Sequence, residues 1–305
     1  MFMRYEYLSD HPRVFRSMTG LTVSEFDQSV VEVEPFYAAT ERKRLARPDR
    51  VRAPGAGHPF SLGYRDSLLM TLIWLRQYPV GEVLGYFFGV SEPTARRTVG
   101  RMLPALEAAG RVTFRWPNRK QGRSLPEILD ECPEVAVVID TFEQRVRRPK
   151  DREKAKKHYS GKKKQITCKT QVCVDWDGHV CNISESVPGP TADITLLKET
   201  KVLEMLPEDV GAWGDSAYQG IRDLHPQGLG AHPRRKPHGK PRSPEDKAYN
   251  TAFARERIIV EHRIGHLRHF QALQQMYRHA LDSHTATVVA VAGVVNRRRE
   301  WRAIA

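Results

Sequence analysis

Val135-Ala-Val-Val-Ile139-Asp140 sets an unbroken apolar run against one acid. A run this short fits a strand buried on both faces, with Asp140 at its end. Downstream, Ile166–Asp175 and His179–Val187 read as paired strands, and Asp175-Trp-Asp-Gly178 supplies a hairpin turn. A helix is expected from Asp193 to Met205, with Thr191 or Asp193 near its cap. A short strand over Val210–Trp213 stops at Gly214-Asp215. Ser243-Pro-Glu-Asp246 opens a long helix reaching about His269, and a last helix covers about Ser283–Asn296. Strand, paired strands, helix, strand, helix is an α/β order, expected over residues 125–305.

Residues 1–124 have a different texture and read as a helical region. Tyr64–Tyr78 carries Leu68, Leu72 and Leu75 on one stripe, and Pro79 stops it. Val80–Phe88 is a second helix, ended by Gly89-Val90. Ser91 is a good N-cap for a third, Glu92–Leu106, with Pro93 in its first turn. Helix, glycine turn, capped helix is the outline of a helix-turn-helix, here at about 64–108, although helical hairpins share it. The third helix carries Thr94, Arg96, Arg97 and Arg101, residues suited to base edges and phosphates.

Charge points the same way. The 305 residues carry a formal net charge of +13, which calls for an acidic partner, nucleic acid first. Arg145–Lys169 alone holds twelve Lys/Arg against two acids and is expected to run along phosphates, Lys162, Lys163, Lys164 and Lys169 included. Pro233–Arg242 is a second basic loop. Met1–Asp10 has no apolar signal core, and no apolar run approaches the roughly 20 residues of a membrane helix. The four cysteines lack Cys-x-x-Cys spacing, so a reducing cytoplasm is the expected setting and no membrane partner is expected.

Acids stand at two expected strand ends, Asp140 and Asp215, and on the late helix, Glu261. Carboxylate oxygens suit a hard cation such as magnesium, and two such ions can activate a water and stabilise the leaving oxygen of a phosphodiester. The plain alternatives are a loop acid at 140, a turn acid at 215, and at 261 an i,i+4 ion pair with Arg257. His262 and His266 share a helix face, but no Glu follows His262 as a zinc-protease motif requires.

The order of short motifs resembles the bacterial insertion-sequence transposases of insertion sequence family five, in the DDE superfamily of endonucleases. The resemblance covers about Tyr64–Arg299. It rests on Asp66–Tyr78 and Phe88-Gly-Val-Ser91, then Ile139-Asp140, Arg148-Pro149, Tyr159-Ser-Gly-Lys-Lys-Lys164, Lys169-Thr-Gln171, Pro188-Gly189 with Asp193, Gly214-Asp-Ser-Ala-Tyr218, and Arg257-x3-Glu261-x6-Arg268. It implies an RNase H-like mixed-sheet catalytic domain after the helix-turn-helix. Asp140, Asp215 and Glu261 would be catalytic ligands for two divalent ions, magnesium or alternatively manganese. Asp193 is either a fourth acid or a helix cap, and the cap is the favoured reading. Arg257 would hold a phosphate or orient Glu261, and Arg268 stands where relatives often carry Lys. The implied partners are double-stranded DNA, as terminal inverted repeats and target, and a second copy of the chain on that DNA. The implied place is the bacterial nucleoid. The alternatives are a decayed or repurposed DNA-binding protein and a nuclease without transposition.

Overall fold

The computed structural model describes residues 3–46 and 60–304. In chain order the helical region contains α1 (Tyr5–Ser9), α2 (Pro12–Thr19), α3 (Val23–Leu45), α4 (Tyr64–Gln77), α5 (Gly81–Phe88) and α6 (Glu92–Arg111). Then follow β1 (Ala136–Arg145), α7 (Arg152–Lys157), β2 (Tyr159–Ser160), β3 (Gln165–Val174), β4 (Val180–Ile183), β5 (Val187–Pro188) and α8 (Asp193–Thr200). The chain continues through β6 (Gly211–Trp213), α9 (Ile221–Leu224), β7 (Gly230–Ala231), α10 (Pro244–Arg268), α11 (Gln271–Gln274) and α12 (His284–Ile304).

Two compact units result. The first comprises residues 1–113, 267–275 and 286–305, and the second 114–266 and 276–285. The C-terminal helices were expected with the α/β domain, yet α11 and most of α12 belong to the helical unit. The physical reason is close packing of α12 on α6. A Cβ on Gly293 would stand 2.3 Å from Gly110 Cα, so only a glycine pair permits this approach. Asn296 Nδ2 donates to Thr113 Oγ1 at 3.1 Å, Arg302 Nε to Glu25 Oε1 at 2.7 Å, and Arg297 pairs with Glu32. α12 therefore runs on to Ile304, well past the apolar stretch that suggested an end near Asn296.

α3 starts with a capping box: Thr22 Oγ1 accepts from Glu25 N–H and Glu25 Oε2 from Thr22 N–H. α4 is buried along Ser67–Leu75, which puts it at the centre of the unit. α5 and α6 match the expected helix-turn-helix. Gly89 ends α5 in the left-handed conformation and Ser91 takes the N-cap position of α6. The Ser91 hydroxyl meets Thr94 Oγ1 at 3.0 Å and makes no bond to a backbone amide. α6 extends to Arg111.

The second unit has the expected α/β character, with a mixed sheet of order β2-β3-β1-β6-β7, and β4 and β5 also on β3. β1 runs antiparallel to β3 and parallel to β6. The Asp175–Gly178 turn joins β3 to β4 as expected, with Gly178 N–H donating to Asp175 O at 2.9 Å. Side chains alternate across β1. Val137 and Ile139 join Leu197, Val202, Leu203, Ala212, Tyr218 and Ile221 in one core. A second aromatic cluster stacks Trp213 on Phe253 of α10 at 4.5 Å, with Trp176 edge-on to Trp213.

Asp140 does not end its strand. β1 continues to Arg145, paired with β3 from Val138↔Val174 to Arg145↔Thr167. Beyond Ile139 one face stays buried, at Phe142 and Gln144, while the other opens. Apart from Phe142 that half reads as polar, so the apolar run marked only the doubly buried part. α8 is also shorter than expected: Lys201 turns left-handed at φ 51° and a single 3-10 turn, Val202–Met205, follows.

Candidate active site

Asp140 lies in mid-strand with 20% of its side chain exposed. Its Oδ1 accepts the Thr141 N–H at 2.7 Å and its Oδ2 accepts from Arg257 on α10 at 3.3 Å. Burial pushes its carboxyl up to about 6. The Arg257 charge and the Thr141 amide oppose this, and repulsion from Asp215 adds to it. Arg257 is itself buried and its second amino group donates to Glu261 Oε1 at 3.3 Å. One guanidinium thus joins Asp140 to Glu261. The i,i+4 pair is real, but Arg257 also reaches across to the sheet, which a surface pair does not do.

Asp215 lies two residues past the end of β6. Its Oδ1 accepts the Ala217 N–H at 2.9 Å and caps the 3-10 turn Ser216–Tyr218. That turn folds Tyr218 under the strand end. A Cβ on Gly214 would stand 2.4 Å from Tyr218 Cβ, so glycine is required there. Tyr218 is fully buried, and its hydroxyl finds no hydrogen-bond partner among the described residues. Burial, then the charges of Asp193, Asp140 and Asp215, hold its phenol above the usual range. Nothing in the spacing singled Tyr218 out, beyond its place in Gly214-Asp-Ser-Ala-Tyr218.

Asp193 is not the helix cap. Ala192 takes the N-cap position without a side-chain bond, and Asp193 is the first helical residue. Its Oδ1 accepts from Lys169 Nζ at 2.7 Å and from Thr141 Oγ1 at 3.0 Å. Lys169 also donates to Thr191 O at 2.6 Å and is largely buried, held inside the fold by these bonds. The preference for a cap fails because Lys169, on the neighbouring strand, offers the carboxylate a full charge. Asp140 and Thr141 are successive residues and alternate, one meeting α10 and the other α8.

The basic candidates lie elsewhere. Lys162, Lys163 and Lys164 occupy the exposed turn between β2 and β3. On α6, Arg96 is exposed and pairs with Glu92 at 2.6 Å, and Arg97 is exposed. Arg101 lies over the Phe60 ring at 4.0 Å. Arg268 is the last residue of α10 and is half-buried. His262 and His266 are exposed. All four cysteines are buried.

Comparison with known proteins fits this geometry. The family model described as "DDE superfamily endonuclease" matches residues 139–296. The chain belongs to the DDE superfamily endonucleases. A second model, "Helix-turn-helix of DDE superfamily endonuclease", matches residues 60–111, over α4 to α6. The chain is 29% identical over 284 residues to the probable transposase for insertion sequence element IS702 of Microchaete diplosiphon, covering 93% of this chain and 94% of that one. No solved structure matches. The two matched regions make the chain a DNA-binding endonuclease, and DDE superfamily endonucleases use divalent metal ions.

Carboxylate oxygens are the donor type that such hard ions prefer. Asp140, Asp215 and Glu261 offer only carboxylate oxygens, and the Tyr218 hydroxyl, without a hydrogen-bond partner among the described residues, lies within electrostatic reach of Asp140 and Asp215. Among the described residues no three His, Cys, Asp or Glu side chains are already gathered as an ion cage. Among the same residues no helix is long and apolar enough to cross a membrane.

Proposed function

We propose that this chain is the transposase of an insertion sequence, grouped with insertion sequence family five. It would bind the element's terminal inverted repeats through α5 and α6, cleave there, and join the freed strand to target DNA. The observation that carries the reading is Asp140 on the central strand, within electrostatic reach of Asp215 and tied through Arg257 to Glu261. End-to-end similarity to a probable transposase supports it.

Asp140, Asp215 and Glu261 would hold two divalent ions, magnesium or manganese. Bound metal supplies Lewis-acid stabilisation of phosphoryl oxygens and eases deprotonation of the attacking hydroxyl. The chain's own residues do the rest. Arg257 orients Asp140 and Glu261 and is placed to meet a phosphate once those carboxylates take another cation. Lys162, Lys163 and Lys164 present charge to the DNA backbone from an exposed turn. Arg96, Arg97 and Arg101 lie on the helix that would enter the major groove, with Thr94 towards its start. A water and then a 3′-hydroxyl serve as nucleophiles, so no covalent protein–DNA intermediate is needed. Two ends must be held at once, so a homodimer forms on DNA, at the nucleoid.

The test is cleavage of duplex DNA carrying the element's ends, with and without magnesium. Asp140→Asn, Asp215→Asn and Glu261→Gln should each abolish cutting while end binding persists. Normal cutting by these variants overturns the site. Binding without cutting by the unmodified chain overturns the catalytic reading in favour of a DNA-binding protein.

A further inference from the structure

Beyond the acids, the second unit holds a basic pocket of about 290 Å³. Arg147, Arg148, Lys150, Lys154 and His279 line it. The volume sits at the lower end of the roughly 300–1,000 Å³ of small-ligand sites. Asp151 is the acid in the lining, and its Oδ1 is engaged by the Lys154 N–H at 2.6 Å. None of Asp140, Asp215, Glu261 and Tyr218 contributes to it.

The walls are built rather than incidental. Val146 N–H donates to Ile166 O at 2.9 Å and Arg147 N–H to Tyr277 O at 3.0 Å, while Tyr277 N–H donates to Arg145 O at 2.8 Å. Tyr277 is fully buried and its hydroxyl meets Ser283 Oγ at 2.7 Å. Ser283 Oγ in turn holds Ala280 O at 2.8 Å, which fixes the loop that forms the far wall. Lys154 Nζ has the exposed Asp282 carboxylate at 3.8 Å, while Arg147, Arg148 and Lys150 share the same small concavity and repel one another, which an entering anion relieves. Guanidinium forks match phosphate oxygens in pairs.

We propose that this pocket seats a backbone phosphate of the DNA on which the chain acts. The inference rests on the endonuclease reading, which supplies the polyanion. It adds a phosphate-binding site separate from both the acids and the recognition helix. The pocket orients a strand by one fixed phosphate, where the exposed Lys162–Lys164 turn offers only diffuse attraction.

The experiment measures duplex binding by the full chain in chelator across a series of salt concentrations. Each phosphate neutralised contributes roughly 0.9 to the slope of log affinity on log salt. Arg148→Ala with Lys150→Ala should lower the slope by about that amount or more. Arg148→Lys with Lys150→Arg should keep it. Lys198→Ala with Lys201→Ala removes the same charge from exposed positions on and beside α8 and should leave the slope unchanged. An unchanged slope in the pocket variant overturns the proposal, as does an equal fall in the α8 control. Magnesium-dependent cleavage by the unmodified chain is run alongside. If it cuts DNA and the pocket slope does not move, only the pocket fails. If the unmodified chain binds no duplex, both readings fail.

Discussion

The guanidinium of Arg257 stands 3.3 Å from the Asp140 carboxylate, and both groups are largely buried. Burial nonetheless outweighs this attraction, since the Asp140 carboxyl is pushed up to about 6 from 3.8. The pair is therefore a site under electrostatic tension, with an acid that holds its proton well into the mildly acidic range.

That tension sets a pH dependence. The folded chain binds the Asp140 proton more tightly than the unfolded chain does. The stabilisation is full below about 3.8, declines as pH rises, and is gone above about 6. A shift of this size corresponds to something on the order of 2–3 kcal/mol. In chelator, wild-type stability minus that of Asp140→Asn should fall by that order between pH 4 and pH 7, as read by urea unfolding. A flat difference would remove the buried-acid account. Metal affinity should fall below about pH 6, where protons compete for Asp140.

Asp193 should behave unlike the three candidate ligands. Asp193→Asn keeps an oxygen for Thr141 and Lys169 and should leave metal-dependent cleavage within a few-fold of wild type. Asp193→Ala strands a largely buried Lys169 and should cost about 3–5 kcal/mol in unfolding free energy. Loss of cutting in Asp193→Asn with stability intact would instead make Asp193 a fourth functional acid.

The unpartnered Tyr218 hydroxyl separates stability from activity. Tyr218→Phe removes a buried polar atom that contributes no bond to the fold, so the melting temperature should hold or rise. If that hydroxyl donates to a charged group in the loaded site, cleavage should fall roughly tenfold to a hundredfold, matching about 1.5–3 kcal/mol. A drop in melting temperature with unchanged cleavage would assign Tyr218 to packing alone.

The Gly110–Gly293 approach should be unforgiving. Gly293→Ala puts a methyl 2.3 Å from backbone, and overpacking of this kind costs about 1–3 kcal/mol. Thermal melting should report the loss. A melting point equal to wild type would mean that α6 and α12 separate easily.

Local pattern carried much of this chain. The α5–Gly89–Ser91–α6 turn, the Asp175–Gly178 hairpin and the start of α10 follow from glycine, cap and proline positions, which act within a few residues of themselves. Long-range pairing carried the rest. Residues 140–145 are polar except for Phe142 and became strand because β3 runs beside them. Asp193 reads as a cap in isolation and turned to Lys169, which is distant in sequence and adjacent in space. Tyr218 carries no signature until the fold buries its hydroxyl beside three acids.

Residue type and spacing alone established a basic chain, a helix-turn-helix outline and an α/β region, and the family resemblance singled out three of its acids. Local sterics, capping and charge count act along the chain and need no partner to be read. Tertiary structure decided that Arg257 spans Asp140 and Glu261, that Asp193 pairs with Lys169, and that the final helix joins the first unit. Each depends on which distant side chain shares a buried space, and burial acquires its energetic weight only once the chain has closed around it.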